Sequence, residues 1–423
     1  MPQFFHSVTL NEELCHGCTT CIKRCPTEAI RVRNGKAVIT SERCIDCGEC
    51  IRVCPHHAKS AKSDKLSIIS RFTYKIVLPA PSLYGQFNNL DDIDYVLAGL
   101  LKLGFDEVYE VSAAAELVSD ATRNLMERGK LQTPVISSAC PAVVRLIRLK
   151  FPDLCGYVLP LLSPMEIAAR TAKRQAANRL GLPVEEIGAF FISPCPAKVT
   201  DIRAPIGIQD SWVDGVFSMN EIYPKLLETM TKKEEPSLLS HSGLIGVSWG
   251  SSGGEASALI QKKYLAADGI ENVMGILEAL EDGRLRELEF IELNACPGGC
   301  VGGVLTVENP FVARARIQQL RKYLPVSLNH LETGASSIPN QMCWQEPLES
   351  ADVLRLSDDL GEAMEMMEQI DLLYESLPKL DCGSCGAPSC RALAEDVICG
   401  KAGKYDCIFV LREELKKQGV SIG

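Results

Sequence analysis

The feature that most limits what this chain can become is the placement of its cysteines. There are 19 in 423 residues; most fall in short, spaced groups, and three, Cys155, Cys343 and Cys399, belong to no motif. A small secreted scaffold uses cysteines as disulfide staples, but a chain this long buries a core without them, and a cytosolic chain keeps its thiols reduced. Grouped, reduced thiols point to metal ligation, and the three ungrouped ones read as structural. The remaining composition, 46% hydrophobic and 23% charged, is that of an ordinary globular protein. Lys+Arg 44 against Asp+Glu 54 gives a net charge of −10, which argues against nucleic acid as a partner. No apolar run reaches the roughly 18 residues of a membrane span. Met1 to His6 lacks the basic and apolar parts of a secretion signal, so a cytoplasmic location is expected.

The first group is Cys15, Cys18, Cys21 and Cys25, followed by Pro26; Cys44, Cys47, Cys50 and Cys54, followed by Pro55, repeat it. The spacing C-x2-C-x2-C-x3-C-P is that of bacterial ferredoxins, in which the fourth cysteine ligates the other cluster. One [4Fe–4S] cluster is therefore assigned to Cys15, Cys18, Cys21 and Cys54, and a second to Cys44, Cys47, Cys50 and Cys25. Two-residue gaps turn successive thiolates toward one cubane, while the longer step sends the last one across. Zinc also takes thiolate quartets, but the doubled pattern favours iron–sulfur. Such a domain carries electrons and by itself makes no bonds.

From Arg71 to Leu324 apolar strands alternate with amphipathic helices, as in layered α/β proteins. Ile93, Val96, Leu97, Leu100 and Leu101 share one helical face. Ser163-Pro164-Met165-Glu166 reads as a capping box opening a helix toward Gly181, and Asn309-Pro310 opens another that ends near Leu324. Strands are expected at Lys75–Leu78, Pro134–Ile136, Ala189–Ile192, Leu244–Trp249 and Phe290–Leu293. They run into Pro79-Ala80-Pro81-Ser82, Ser137-Ser138-Ala139-Cys140-Pro141, Ser193-Pro194-Cys195-Pro196-Ala197-Lys198, Gly250-Ser251-Ser252-Gly253-Gly254 and Asn294-Ala295-Cys296-Pro297-Gly298-Gly299-Cys300. Sites in parallel α/β sheets form beyond the carboxyl ends of strands. Cys140, Cys195, Cys296 and Cys300 can thus converge from three strand ends, with glycines allowing close backbone approach to a bulky group.

These loops resemble the signature segments of the [FeFe]-hydrogenase active-site domain, most specifically Pro194-Cys195-Pro196-Ala197-Lys198 and Ala295-Cys296-Pro297-Gly298-Gly299-Cys300. The resemblance implies that Cys140, Cys195, Cys296 and Cys300 bind the [4Fe–4S] half of an H-cluster. Cys300 would bridge to a two-iron subsite carrying CO, cyanide and an azadithiolate. It further implies that Lys198 donates to a cyanide, that Ala80, Pro81 and Ser82 line another cyanide pocket, and that Pro194, Gly298 and Gly299 cradle the group. A cationic donor aimed at an anionic ligand makes a strong hydrogen bond. A solvated surface lysine is the alternative reading of Lys198, disfavoured by its place three residues after a ligand cysteine.

The sequence also departs from the family. Catalytic members carry a proton-relaying cysteine immediately before the first ligand, where this chain has Ala139. The glutamate pair continuing that relay would fall near Ala121 and Thr122, and Ser163 corresponds to the relay serine. Two methionines that touch the subsite appear as Ser193 and Asn294, and the lysine loop's distal glutamate as Asp201. A methyl group moves no proton, and losing general acid–base help costs about 10²–10⁴-fold. The combination resembles the sensory, low-activity branches of the family.

Pro325 to Glu349 reads as a linker or exposed crossing segment. Ser357-Asp358-Asp359 then starts a helix through Glu375, whose Leu360, Met364 and Met367 read as a packing stripe. Cys382, Cys385, Cys390 and Cys407 follow at C-x2-C-x4-C-x16-C. Asp381-Cys382-Gly383-Ser384-Cys385-Gly386 resembles the small iron–sulfur modules of corrinoid-protein partners and membrane electron-transfer subunits; zinc is the other reading. Similar endings precede signalling domains in sensory hydrogenases, and none is expected after Gly423. Lys59, Lys62, Lys65, Arg71 and Lys75 read as a solvated basic connector.

The expected organisation is an α/β multidomain chain. A 2[4Fe–4S] ferredoxin-like domain spans 1–70, a two-lobed H-cluster domain 71–325, a linker 326–356, and a helix with a small [4Fe–4S] domain 357–423. The expected function is slow interconversion of protons and electrons with H₂, in a hydrogen-sensing or regulatory role. The alternatives are a hydrogenase-like protein without the two-iron subsite, working in electron transfer or cluster assembly, and a plain polyferredoxin. Implied partners are H₂ and protons, a ferredoxin-like redox carrier, hydrogenase maturation proteins and a signalling partner.

Overall fold

The computed structural model describes residues 5–230, 237–260, 263–332 and 338–419. The chain divides into two compact units: residues up to 44, 49–60 and from 351 onward make one, and 45–48 with 61–350 make the other. The first unit opens with β1 (Val8–Leu10), α1 (Thr20–Lys23), the antiparallel pair β2 (Ile30–Arg33) and β3 (Lys36–Ile39), α2 (Glu49–Arg52), and β4 (Lys59–Ala61), which pairs with β1. Asn34 and Gly35, both at positive φ, make the tight turn between β2 and β3. The repeat is visible in the backbone. Gly17 and Asp46, equivalent positions of the two motifs, both have positive φ, as do Glu28 and His57. Cys15, Cys21 and Cys50 sit in the small core with Ile22 and Ile30, so the thiols occupy the place of the missing hydrophobic bulk.

The second unit alternates strand and helix: β5 (Tyr74–Pro79), α3 (Asp94–Leu101), β6 (Glu107–Val108), α4 (Val111–Glu127), β7 (Val135–Ile136), α5 (Pro141–Lys150), α6 (Pro164–Leu180), β8 (Ile187–Ser193) and α7 (Pro196–Arg203). It continues through β9 (Gly215–Ser218), α8 (Met219–Thr229), α9 (Leu244–Ser248), α10 (Gly254–Ala258), β10 (Tyr264–Asp268), α11 (Ile270–Glu281), β11 (Phe290–Asn294) and α12 (Pro310–Leu320). The strands form two parallel sheets, ordered β6-β5-β8-β9 and β10-β11-β7. Every residue of β8 is buried, as a central parallel strand covered on both faces requires.

Four of the five expected strands form; Leu244–Trp249 does not. It folds as α9, lying so close to α4 that a Cβ on Gly246 would sit 2.1 Å from the Ser112 carbonyl oxygen. A short apolar run reads equally as buried strand or buried helix, and only the tertiary contact decides. Helix α6 starts at Pro164 and ends at Gly181 with φ 68 as expected, but the capping box is not made. The Glu166 carboxylate instead accepts from the Trp212 backbone N–H and the Ser211 hydroxyl. Asn309 does cap α12, accepting from Phe311 and Val312.

The described residues of 325–350 do not hang free. Met342 is 4% exposed and its carbonyl accepts from Leu162, Cys343 bridges to Leu161, and Trp344 fills the space over Gly207. The basic connector is not uniformly solvated either: Lys59 is 4% exposed, and Lys75 pairs with Asp106 at 3.0 Å. The C-terminal elements, α13 (Leu360–Glu375), α14 (Cys390–Ile398) and α15 (Ile408–Lys417), belong to the first unit. Asp359 caps α13, but Leu360, Met364 and Met367 face solvent at 77%, 66% and 48% exposure. The helix buries its other side, Ile370, in the cluster that holds Leu393 of α14. Among the described residues no helix is long and apolar enough to cross a membrane.

Candidate metal centre

Three strand ends of the second unit deliver the central cysteines. Cys140 follows β7 and is the N-cap of α5; Cys195 follows β8 and is the N-cap of α7. In both cases proline takes the first helical position, where its missing N–H costs nothing. Each of these residues thus sits at the positive end of a helix. Cys296 and Cys300 follow β11 on a loop whose Gly298 and Gly299 have φ 75 and 89. A Cβ on Gly299 would lie 2.4 Å from the Ser252 backbone nitrogen, so the loop closes only with glycine there.

All four cysteines line one cavity. Burial pushes the Cys195 thiol up to about 12, with Cys140 beside it adding repulsion, and pushes Cys300 higher still against Cys195 and Cys140. Such thiols stay protonated in water and are poor nucleophiles, but a metal deprotonates its own ligands. The donor set therefore suits metal ligation better than thiol chemistry. Lys198 lines the cavity and lies 3.9 Å from Asp201, with both side chains 12% exposed. Ser82 also lines it, and its buried hydroxyl has no hydrogen-bond partner among the described residues. A buried donor left unmatched is costly, and an acceptor held in the cavity would satisfy it. The residues present thus fit a cubane plus an attached group with anionic, hydrogen-bond-accepting ligands.

Of the other residues singled out from sequence, Ala80, Pro81, Ala139, Pro194, Asn294 and Gly299 line the cavity. Ser193 and Gly298 do not. The Ser193 hydroxyl bonds both the carbonyl and the N–H of Cys195, and the Gly298 N–H donates to Asp268. Ser163 lines a smaller neighbouring cavity with Glu166 and Asp201, and its buried hydroxyl is also unmatched among the described residues. Thr122 turns its hydroxyl back on the Val118 carbonyl.

Sequence reasoning missed two wall carboxyls, Glu255 and Glu292. Both are pushed up by burial, Glu255 also by the charge of Glu292. The Ser137 hydroxyl donates to Glu255 at 2.5 Å and accepts from the Ala139 N–H, while Glu292 receives the N–H groups of Gly253 and Ala256 and the Asn294 amide. A carboxylate inside the apolar strand before a ligand loop was the available signal for Glu292. Val111, Met165, Phe191 and Trp249 complete an apolar wall.

In the first unit the Cys21 thiol is raised chiefly by burial and feels Cys18, Cys15 and Cys54. Backbone N–H groups point at three thiols: Ala37 on Cys15, Ala29 on Cys25, and Ala58 on Cys54. Charged sulfur needs such donors. Near the C-terminus, Cys385 feels Cys407 and Cys382, and Asp381 fixes the start of α14 by accepting from the Cys390 N–H.

Residues 73–265 and 254–304 match the family described as "Iron only hydrogenase large subunit, C-terminal domain", 7–55 match a 4Fe-4S dicluster domain, and 377–409 match an Fe-S cluster family. The chain is 26% identical to the NADP-reducing hydrogenase subunit HndD of Solidesulfovibrio fructosivorans, over 70% of this chain and 56% of that one. It is 24% identical to iron hydrogenase 1 of Clostridium pasteurianum, over 54% and 49%. It is 23% identical to a "Probable cytosolic Fe-S cluster assembly factor" of Drosophila mojavensis, over 63% and 68%. The matches thus span about half the length of the first two relatives.

Proposed function

The chain belongs to the iron-only hydrogenase large-subunit family, and from that premise we propose that it is a slow [FeFe]-hydrogenase with a hydrogen-sensing or regulatory role. The observation that carries this reading is a single cavity lined by Cys140, Cys195, Cys296 and Cys300 together with Lys198 and the unmatched Ser82 hydroxyl. Four thiols alone would serve an assembly factor or an electron carrier. The Ser82 hydroxyl in the wall beyond them is matched only if an acceptor sits there, and Lys198, paired at 3.9 Å with Asp201, adds positive charge to the same wall.

When bound, the H-cluster supplies the interconversion of two protons and two electrons with H₂. The chain's residues do the rest. Cys140, Cys195, Cys296 and Cys300 would hold the cubane half, and Cys300 would also hold the attached two-iron group. Lys198 and Ser82 would donate hydrogen bonds to ligands of that group. Val111, Met165, Phe191 and Trp249 keep water out. Ala139 offers no proton at the position from which a relay would begin, so turnover is slow. The carboxyl of Glu255, raised to about 8 by burial and by the charge of Glu292, holds a proton at the wall, with Ser137 bonded to it.

The N-terminal cysteine quartets and the C-terminal one hold three further [4Fe–4S] clusters. Bound there, such clusters would supply electron exchange with a ferredoxin-like carrier. Maturation proteins deliver the two-iron subsite, and a signalling partner reads the protein's redox state in the cytoplasm.

Hydrogen evolution by the matured protein tests the reading. Ala139→Cys is expected to raise the rate, and Glu255→Gln to lower it by about 10²-fold or more. A rate unchanged by both substitutions would contradict the assignment of this wall to proton supply.

A further inference from the structure

The C-terminal cysteines are built onto the dicluster fold rather than tethered to it. The Val32 N–H of β2 donates to the Gly386 carbonyl at 2.8 Å. Gly386 has φ 79, and a Cβ there would lie 2.0 Å from the Val32 carbonyl oxygen. Lys23 donates to the Pro388 carbonyl at 2.8 Å, and Arg33 to the Cys385 carbonyl at 3.3 Å. Behind this contact Asp396, on α14, receives Arg31 at 2.7 and 3.2 Å and Arg33 at 2.7 Å. Its side chain is 9% exposed. A buried carboxylate between two guanidinium groups is strongly anchored, since leaving either charge unpaired there is costly.

The contact touches one cluster loop in particular. A Cβ on Gly383 would lie 3.1 Å from the Lys23 side chain and 3.4 Å from Thr19. Thr19 and Lys23 flank Cys21, and Cys21 in turn faces Cys15, Cys18 and Cys54.

We propose that Arg31, Arg33 and Asp396 clamp the Cys382–Cys390 ligand loop onto the Cys18–Lys23 ligand loop, making the C-terminal module a fixed electron port for the first cluster. This rests on the reading of both cysteine sets as iron–sulfur sites. One electron passes between the two centres, oxidising the donor and reducing the acceptor; no bond forms or breaks and no proton moves. A low-potential one-electron carrier outside the chain supplies or takes that electron. Lys23, Arg31 and Arg33 put positive charge between two anionic centres, which eases their close approach. The three are positioning residues, as is Asp396.

Low-temperature electron paramagnetic resonance of the reduced full-length protein tests the port. The signals of the first and C-terminal centres are expected to broaden each other by spin–spin interaction. Cys385→Ser, which removes the C-terminal signal and lowers the iron content, should narrow the first centre's signal to the width that the second cluster alone imposes. Asp396→Ala should retain both centres and lose their interaction; Arg33→Met, which leaves Arg31 on Asp396, does the same with less risk to folding. Two centres present in the unaltered protein without interaction would overturn the port while leaving both clusters in place. Interaction that survives both clamp variants would overturn the clamp. Iron content and spectra unchanged by Cys385→Ser would overturn the port together with the cluster reading beneath it.

Discussion

Lys59 places its ammonium inside the first unit, and among the described residues it has no hydrogen-bond partner. It lies in the field of Cys21 and lowers that thiol's proton affinity. An unpaired buried cation is costly, and a cluster bound by Cys15, Cys18, Cys21 and Cys54 supplies the missing negative charge. Lys59→Met should therefore favour the oxidised first cluster. Its midpoint potential is expected to fall by roughly 60–120 mV for a charge worth about 1.4–2.8 kcal/mol, read by redox titration of its paramagnetic signal. An unchanged potential would remove Lys59 from the cluster's surroundings.

Glu166 is pushed by burial from the ordinary 4.5 up to about 7, although bonds from Ser211 and Trp212 pull it down. The folded chain thus keeps a proton that the unfolded chain loses above pH 4.5. That contribution to stability is fully present below this value and fades as pH rises through about 7. Glu166→Gln should flatten the fall, a difference of roughly 3 kcal/mol between acid and neutral pH. Urea unfolding of the second unit at several pH values measures it, and parallel curves for the two proteins would contradict it.

At the scale of elements, the ligand loops succeed because each strand stops where a proline or glycine lets the backbone turn. Gly299 is the most exacting position: left-handed, and pressed against Ser252. Gly299→Ala is expected to cost at least about 1–3 kcal/mol in backbone strain alone and to deplete iron from the central site. Metal analysis of the purified variant checks this, and full iron with unchanged stability would refute it. The ligand spacings were legible in sequence because they are local: a loop that wraps a cluster writes its own geometry into a few adjacent residues. The strand ends at Cys140, Cys195 and Cys296 were legible for the same reason. Helix α9 was not, since its apolar run carries no period that separates helix from strand and only the approach of Gly246 to α4 decides. Nor were Glu255 and Lys59, whose roles depend on partners distant in sequence. The stripe of Leu360, Met364 and Met367 shows the converse limit, a helical period that is real but faces water.

For the molecule as a whole, the first unit is made from both ends of the chain, with residues from 351 onward folding beside the dicluster region. Sequence order suggested separate domains at the two ends, because a contact such as that of Arg31 with Asp396 leaves no local trace. The second unit owes its site to two parallel sheets that share one core and open their carboxyl ends onto one cavity. What such a cavity holds decides between a hydrogenase and a cubane-only relative. Infrared spectroscopy of the protein after exposure to the maturation machinery tests this most directly. Bands from bound CO and cyanide are expected, with the cyanide bands shifted in Lys198→Met and all bands lost in Cys300→Ser. A protein that acquires its cubanes under the same treatment but shows no such bands would contradict the account.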